Sequence, residues 1–413
     1  MKLGYSTAIV DQVVLAGSSA ISFIVLANFI SLELYGNLAT LYSCVILFQM
    51  LTNAVFGDAF VIKVPSIGLS KINSYFIFVL KLILISSIVI CFLLIVLYML
   101  FWPVQSLRIT DFLVTIISAV MFSLFMFSRR LCYSANLNYY SLLGSLIYCS
   151  SYSMFLVFCY LFLNLTVATI LGSLCLASLA AFLFVVVKTG VVKDFRVGKM
   201  DEGILVRLRE FHWRYGRWGS LSGIFKWIPD NFLYLLLALG GASEGVAIFR
   251  MASNIIMPIR HLIVALVNVM LPKFSMRAFT NHNSDSMAEI LKILGVFGLL
   301  NLVLIMIFDA YGAEILGLLY ISSHVEQVMS VLDILVWVPT LGAGYAFVAV
   351  FLKSHNKIKT VFYIALVGAC TTVFGGFALI RDFGEVGAAF SLLASIGIML
   401  MLGSYAIFRQ SRQ

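Results

Sequence analysis

The sequence predicts an all-α polytopic membrane protein with about twelve transmembrane helices. The chain of 413 residues is 62% hydrophobic and 11% charged, whereas soluble globular chains are about 45–50% apolar and about 25% charged. Apolar segments of the ~20 residues that one bilayer crossing needs recur along the chain. Basic residues are concentrated in alternate loops between these segments. Lipid is therefore the expected solvent for most of the surface.

The candidate spans follow one another with short connections. The residues before Ser31 include no small-residue cleavage site, so we expect a first span there and not a cleavable signal peptide. The predicted spans are 7–31, 36–57, 75–101, 111–128, 141–163, 166–188, 217–240, 245–271, 290–309, 327–352, 358–379 and 384–408.

The loop charges predict the orientation in the membrane. Loops after odd-numbered spans have only Arg108 and Arg381 as basic residues. Loops after even-numbered spans hold Lys63 and Lys71, Arg129 and Arg130, Lys273 and Arg277, and Lys353, Lys357 and Lys359, and the longest holds Lys188, Lys193, Arg196, Lys199, Arg207, Arg209, Arg214 and Arg217. Because basic loops remain in the cytoplasm, both termini are expected there.

The one long polar stretch divides the spans six and six. We expect an N-terminal lobe over 1–190, a basic cytoplasmic linker over 191–214 and a C-terminal lobe over 215–413. The second span begins "ELYGNLATLY" and runs to Pro65, and the eighth begins "SEGVAIFRMA" and runs to Pro272. Six spans in each half predict parallel repeats related by a pseudo-two-fold axis, with a substrate site between them near the midplane.

The seventh span contains two charges where apolar residues are expected. Lys226 and Asp230 lie four residues apart on one helix face, roughly 13–20 Å from the entry at Arg217. Pro229 between them removes a backbone hydrogen bond and favours a kink. Two interpretations are open: a self-contained ion pair on a structural helix, or a charge pair facing a cavity in which Asp230 takes up a proton or cation.

The eighth span adds further cations. Arg250, Asn254 and His261 recur at helical spacing along one stripe, and Arg260 lies beside it. The planar guanidinium matches phosphate oxygens in a bidentate way. We therefore predict an anion-binding patch of Lys226, Arg250, Asn254, Arg260 and His261. The alternatives are that Arg250 snorkels to the outer interface and that His261 is a neutral, packed histidine.

The first span offers one carboxylate. Asp11 shares a face with Ser18 and Ser22, which suggests an ion-coupling role alongside Asp230, although an interfacial position is the alternative. Asp58 and Lys63, at the end of the second span, are interpreted as an interface pair. The sequence contains no Ser-His-Asp set, metal-ligand cluster or glycine-rich phosphate loop, so we expect no enzyme, no catalytic residue, no metal and no cofactor.

The order and spacing of several motifs resemble a known family. They are "LELYGNLA" at the second span, "GRWGSLSGIFKWIPDNFLYLL" and "GVAIFRMASNIIMPIRHLIVALVNVMLPKFS" in the second half, then "FLKSHNKIKT" and "GEVGAAFSLLAS". Together they resemble the polysaccharide transporters, the Wzx-type O-antigen flippases of the multidrug/oligosaccharidyl-lipid/polysaccharide exporter superfamily. Family members often have an arginine where this chain has Asn28.

The resemblance implies a fold like that of multidrug and toxin extrusion (MATE) carriers in a bacterial cytoplasmic (inner) membrane. It also implies a substrate, a polyprenyl-diphosphate-linked oligosaccharide such as an O-antigen, capsule or exopolysaccharide repeat unit. The expected partners are the bilayer, the undecaprenyl-linked substrate, and polysaccharide polymerase and chain-length regulator proteins, with no nucleic acid.

Three other functions remain open. A MATE-type cation antiporter should have acidic residues in its cavity, whereas the spans here are basic on balance. A membrane-embedded polysaccharide polymerase or ligase should have a large outer loop with catalytic Arg or His, and the outer loops here are short. A peptidoglycan-precursor flippase is not supported by the charges at the start of the chain.

Overall fold

The described residues of the chain are helical with short turns. The computed structural model describes residues 2–68, 71–101, 109–191, 202–239, 243–279, 284–320 and 325–411. The helices are α1 (Lys2–Phe29), α2 (Leu32–Thr52), α3 (Asp58–Ile67), α4 (Ile72–Phe101), α5 (Ile109–Ser134), α6 (Asn138–Phe162), α7 (Val167–Lys188), α8 (Glu202–Trp227), α9 (Leu233–Leu239), α10 (Ser243–Phe279), α11 (Ser284–Leu319), α12 (Val325–Leu335), α13 (Val338–Ser354) and α14 (Ile358–Ser411). Part of the predicted orientation depends on residues that lie outside the described ranges, namely Arg108, Lys193, Arg196 and Lys199.

Within these ranges, ten stretches are long and apolar enough to cross a membrane. They cover every predicted span except the seventh, and the last of them, Ile358–Arg409, contains both the eleventh and the twelfth. The seventh predicted span, 217–240, is interrupted and runs through α8, a π-helical segment and α9. The predicted all-α membrane fold is confirmed.

The break between the last two spans depends on two glycines. Gly384 has φ 54° and ψ −131°, which ends the first half of α14 at the predicted boundary. Gly387 packs so closely that a Cβ atom there would lie 2.1 Å from the carbonyl oxygen of Leu379. The motif "GEVGAAF" therefore forms a tight connection that larger residues would not permit.

Two π-helical segments interrupt the helical ladder. Residues Asn53–Gly57 separate α2 from α3, and Ile228–Phe232 separate α8 from α9. The second contains Pro229, so the irregularity lies where the proline predicted a kink. Single π turns are frequent at functional sites because they change the direction of side chains.

The turns after α5 and α13 have the same geometry. Asn136 and Asn356 have positive φ angles of 57° and 58°. The next amide in each turn donates back to a carbonyl five residues earlier, from Leu137 to Cys132 and from Lys357 to Leu352, both at 2.8 Å. Both turns are thus Schellman motifs. They occupy equivalent places in the predicted six-span repeats.

The chain divides into two compact units. The first comprises residues 1–11 and 44–220, and the second 12–43 and 221–413. The lobes predicted over 1–190 and 215–413 remain a prediction, but residues 12–43 group with the second unit. Part of the predicted linker is not a loop, because α8 begins at Glu202 and continues to Trp227.

Within the first unit, α8 packs closely on the π segment Asn53–Gly57. A Cβ atom at Gly219 would lie 2.4 Å from the carbonyl oxygen of Ala54, so glycine is required at this approach. About two turns earlier, His212 is buried, and its Nε2 atom is 2.8 Å from the hydroxyl of Tyr75. Burial lowers the pKa of His212 to about 4, so the imidazole is neutral at neutral pH.

Candidate functional site

The charges of the seventh and eighth spans meet in the second unit. Asp230 lies in the π segment and forms an ion pair with Arg260 of α10, with Oδ1 and Nη2 2.5 Å apart. The side chains are 22% and 33% exposed. The sequence analysis considered a pair between Lys226 and Asp230, whereas the ion pair found for Asp230 is with Arg260 of another helix, 30 positions along the chain. The protein therefore encloses this pair only in part.

Two other predicted residues share these elements. Lys226 lies one turn before Asp230 on α8, and His261 follows Arg260 on α10. Both side chains are half-buried. Arg260 and His261 are thus neighbours on α10, and Lys226 lies in the turn of α8 that leads into the π segment of Asp230. Tyr345, on α13, is buried, and its hydroxyl lies within electrostatic reach of the same carboxylate.

Arg250 has a different environment, although it is on the same helix. It is 7% exposed, and its guanidinium carbon lies 4.1 Å from the ring centre of Phe23, 5.3 Å from that of Tyr42 and 5.8 Å from that of Tyr234. Aromatic faces stabilise a buried cation. Among the described residues, no carboxylate oxygen lies within 4 Å of Arg250. It is enclosed by rings rather than extended to an interface as in the snorkelling alternative.

Asn254 continues this enclosed region. Its Nδ2 atom donates to the hydroxyl of Tyr35 at 2.8 Å, and both residues are buried. Tyr320 donates to the carbonyl of Met251 at 3.0 Å. The predicted stripe on α10 is therefore divided, with Arg250 and Asn254 in an aromatic cage and Arg260 and His261 in an accessible region.

Asp11 belongs to a buried network in the first unit. It is fully buried and accepts hydrogen bonds from Arg129 at 3.0 Å, from Ser141 at 2.5 Å and from the hydroxyl of Tyr133. Asp11 is therefore enclosed by the protein, and its depth in the membrane remains a prediction. Whether it couples transport to an ion remains a prediction.

The sequence analysis placed Arg129 and Arg130 in the loop after the fourth span, and this was wrong. Both lie within α5, where Arg129 pairs with Asp11 and Arg130 pairs with Asp58 at 3.3 Å. Asp58 was interpreted as a partner of Lys63, whose ammonium instead lies 5.2 Å from the ring centre of Phe211. The missed signal was the turn residue Asn136, which ends the helix after the arginines.

Asn28 stands where members of the polysaccharide transporter family often have arginine. Its side chain forms hydrogen bonds with backbone carbonyls. Its Nδ2 atom donates to the carbonyls of Ile24 at 3.0 Å and Leu319 at 2.9 Å. Leu319 is the last residue of α11, so Asn28 satisfies one of the carbonyls that a helix end leaves without a partner. The residue connects α1 to α11 within the second unit.

Comparison of the sequence with family models gives no match, and no curated protein sequence matches it either. Solved structures do match. A transporter of the MOP superfamily from Pyrococcus furiosus is 13% identical with a TM-score of 0.79, covering 99% of this chain and 95% of that one. The outward-facing conformation of a multidrug resistance MATE family transporter of the same superfamily is 12% identical with a TM-score of 0.77, covering 99% and 96%.

A third structure agrees with these two. A MATE transporter in complex with MaL6 is 13% identical with a TM-score of 0.77, covering 99% of this chain and 98% of that one. At such low identity the likeness concerns the fold. The chain therefore has, over almost its full length, the fold of the MATE transporters of the MOP superfamily.

Proposed function

We propose that the protein is a flippase that moves a polyprenyl-diphosphate-linked oligosaccharide, such as an O-antigen, capsule or exopolysaccharide repeat unit, from the cytoplasmic to the outer leaflet. The observation that carries the proposal is the charge balance of the second unit. Its seventh and eighth spans place Lys226, Arg250 and Arg260 against a single carboxylate well inside the spans, Asp230. An anionic cargo complements this excess.

The Asp230–Arg260 pair provides the proposed binding switch. Both side chains are partly exposed, and in this proposal their exposed parts face the cargo, so that a diphosphate reaches the guanidinium. When Asp230 takes up a proton or the diphosphate displaces it, Arg260 offers its planar fork to phosphate oxygens. Lys226 and His261, on the same elements, then add donors. In this proposal Arg250 remains in its aromatic cage, and its positive charge attracts the anionic cargo.

Transport in this proposal follows alternating access, in which two halves of the protein open in turn to each side. The sugar and diphosphate occupy the protein while the lipid tail stays in the bilayer. An inside-negative potential favours the outward movement of negative charge by about 2.3 kcal/mol per charge per 100 mV. Ion exchange at Asp230 or Asp11 adds to this driving force. No chemical step is involved, so the protein is not an enzyme.

The proposed setting is the bacterial inner membrane, with both termini in the cytoplasm. The substrate is delivered there by enzymes that build lipid-linked oligosaccharides, and the product is passed to a polysaccharide polymerase and its chain-length regulator. The charge asymmetry of the loops supports this orientation.

A MATE-type cation antiporter is the second candidate, because similar structures include multidrug transporters. For the Pyrococcus protein, reversed polarity of the binding pocket suggests a different function. In the present chain, the carboxylates of Asp11 and Asp230 are both bound to arginines. This pairing disfavours a cationic cargo.

Complementation of a flippase-deficient strain for surface polysaccharide tests the proposal. The variants are Lys226→Ala, Arg260→Ala and the double variant. The matched control is Arg381→Ala, which removes an exposed charge from α14 just after the eleventh predicted span. We expect the double variant to lose surface polysaccharide and the control to retain it. Full polysaccharide from the double variant at normal expression would overturn the proposal, as would drug resistance conferred without any polysaccharide.

A further inference from the structure

The first four turns of α8 present an exposed face that the proposed transport function does not use. Its buried side includes Leu208, His212 and Tyr215, which pack within the first unit. At about 100° per residue, Val206, Trp213 and Arg217 fall on the opposite side within a narrow stripe. Trp213 is 75% exposed and Val206 57%. Exposure of a large indole ring to water is unfavourable, so we expect another molecule to cover this stripe.

Arginines flank the stripe on both sides. Arg209 lies on one side and Arg207 and Arg214 on the other, and these three are exposed, as is Arg217. None of the four has a carboxylate oxygen of the described residues within 4 Å, and Arg207 donates only to the carbonyl of Gly203 in its own helix. Two acidic residues, Glu202 and Glu210, are exposed on the same side of the helix. The four arginines outnumber them, so the face remains cationic with an aromatic centre.

This combination fits a membrane surface better than bulk water. Tryptophan is enriched at the membrane–water interface, where its ring lies at the level of the headgroups. Clusters of four or more basic residues directly before a transmembrane helix bind anionic headgroups. The helix α8 continues into the seventh predicted span, so its first turns lie at such an interface.

We propose that the exposed face of α8, comprising Val206, Arg207, Arg209, Trp213, Arg214 and Arg217, is a docking surface for anionic phospholipid headgroups of the cytoplasmic leaflet. The arginines bind the phosphates, and Trp213 inserts at the boundary of the acyl chains. The bound lipids anchor the part of α8 that precedes the seventh span at the cytoplasmic membrane surface. Charge complementarity selects the occupant, because a neutral headgroup offers these arginines no net negative charge.

Native mass spectrometry of the full-length protein in detergent measures lipid binding directly. Phosphatidylglycerol and phosphatidylcholine are titrated separately. The test variant is R207Q/R209Q/R214Q/R217Q. The matched control is K71Q/K188Q/K357Q/R409Q, which removes four exposed charges elsewhere. We expect the test variant to bind phosphatidylglycerol about fivefold more weakly per arginine removed. Phosphatidylcholine binding and the control should change little.

Two further arms separate the explanations. Trp213→Ala should weaken the binding of both lipids, whereas Tyr139→Ala, which removes a 60% exposed ring from another helix, should not. Inorganic phosphate should fail to compete with phosphatidylglycerol. Unchanged phosphatidylglycerol affinity in the test variant, an equal loss in the control, or displacement by inorganic phosphate would each overturn the proposal. None of these measurements depends on transport.

Discussion

The two units differ in how deeply their ion pairs are buried. In the first unit, Arg129 and Asp11 are 2% and 0% exposed, and Tyr133 and Ser141 supply further hydrogen bonds to the carboxylate. In the second unit, Arg260 and Asp230 are 33% and 22% exposed. A buried pair is costly to break because it leaves an uncompensated charge, whereas an accessible pair exchanges partners at little cost. The buried pair is suited to stabilising the fold, and the partly exposed pair is suited to binding a ligand.

The strongest test of this contrast is Arg129→Met. It leaves the carboxylate of Asp11 buried without its cation, so we expect the free energy of unfolding to fall by about 3–5 kcal/mol. Thermal unfolding in detergent measures the loss. The double variant D11N/R129M should recover part of it, because the stranded charge is removed as well. An undamaged single variant would mean that the pair is not a structural element.

A smaller effect is expected from Tyr133→Phe. The change removes one hydrogen bond to a charged acceptor and leaves the ring, so the loss should be about 1.5–3 kcal/mol. Tyr148→Phe, in the neighbouring helix α6, provides an aromatic control that does not touch Asp11. If both variants lose the same stability, the network around Asp11 is no stronger than an ordinary tyrosine contact.

Acid should weaken the first unit through His212. Its pKa in the folded protein is about 4, below the ordinary 6.5, so the unfolded chain binds the proton more readily. Stability from this residue is complete above pH 6.5 and falls as the pH drops from there towards 4. The variant Y75F/H212F removes both hydrogen-bond partners together and should flatten this pH dependence. Melting temperatures measured between pH 7 and 4 provide the comparison. An equally steep pH dependence in that variant would assign the acid sensitivity to other groups.

The smallest change in stability is expected for Arg260→Met. Because its ion pair is partly exposed, the free energy of unfolding should change by less than about 1 kcal/mol. Surface polysaccharide in the complementation assay should nevertheless be lost. A large loss of stability with transport retained would reverse the roles that the comparison gives the two pairs.

Much of the fold could be predicted because apolar length and composition act locally. The spans, the break near Gly384 and the irregularity at Pro229 all depend on a few neighbouring residues. Long-range pairing is different. Asp11 and Arg129 are 118 positions apart and Asp230 and Arg260 are 30 apart, and no local pattern specifies such partners. Arg129 and Arg130 resembled the end of a span because charge usually marks an interface, whereas the structure pairs them with Asp11 and Asp58 in the first unit.

The π segment at Ile228–Phe232 has a consequence for how this stretch tolerates insertions and deletions. Its hydrogen bonds enclose one residue more than an α-helical turn would. Removing a single residue there would restore an uninterrupted ladder and turn everything on one side of the gap by about 100° relative to the other. Asp230 would then no longer point towards Arg260. In this stretch, the number of residues matters as much as their identity.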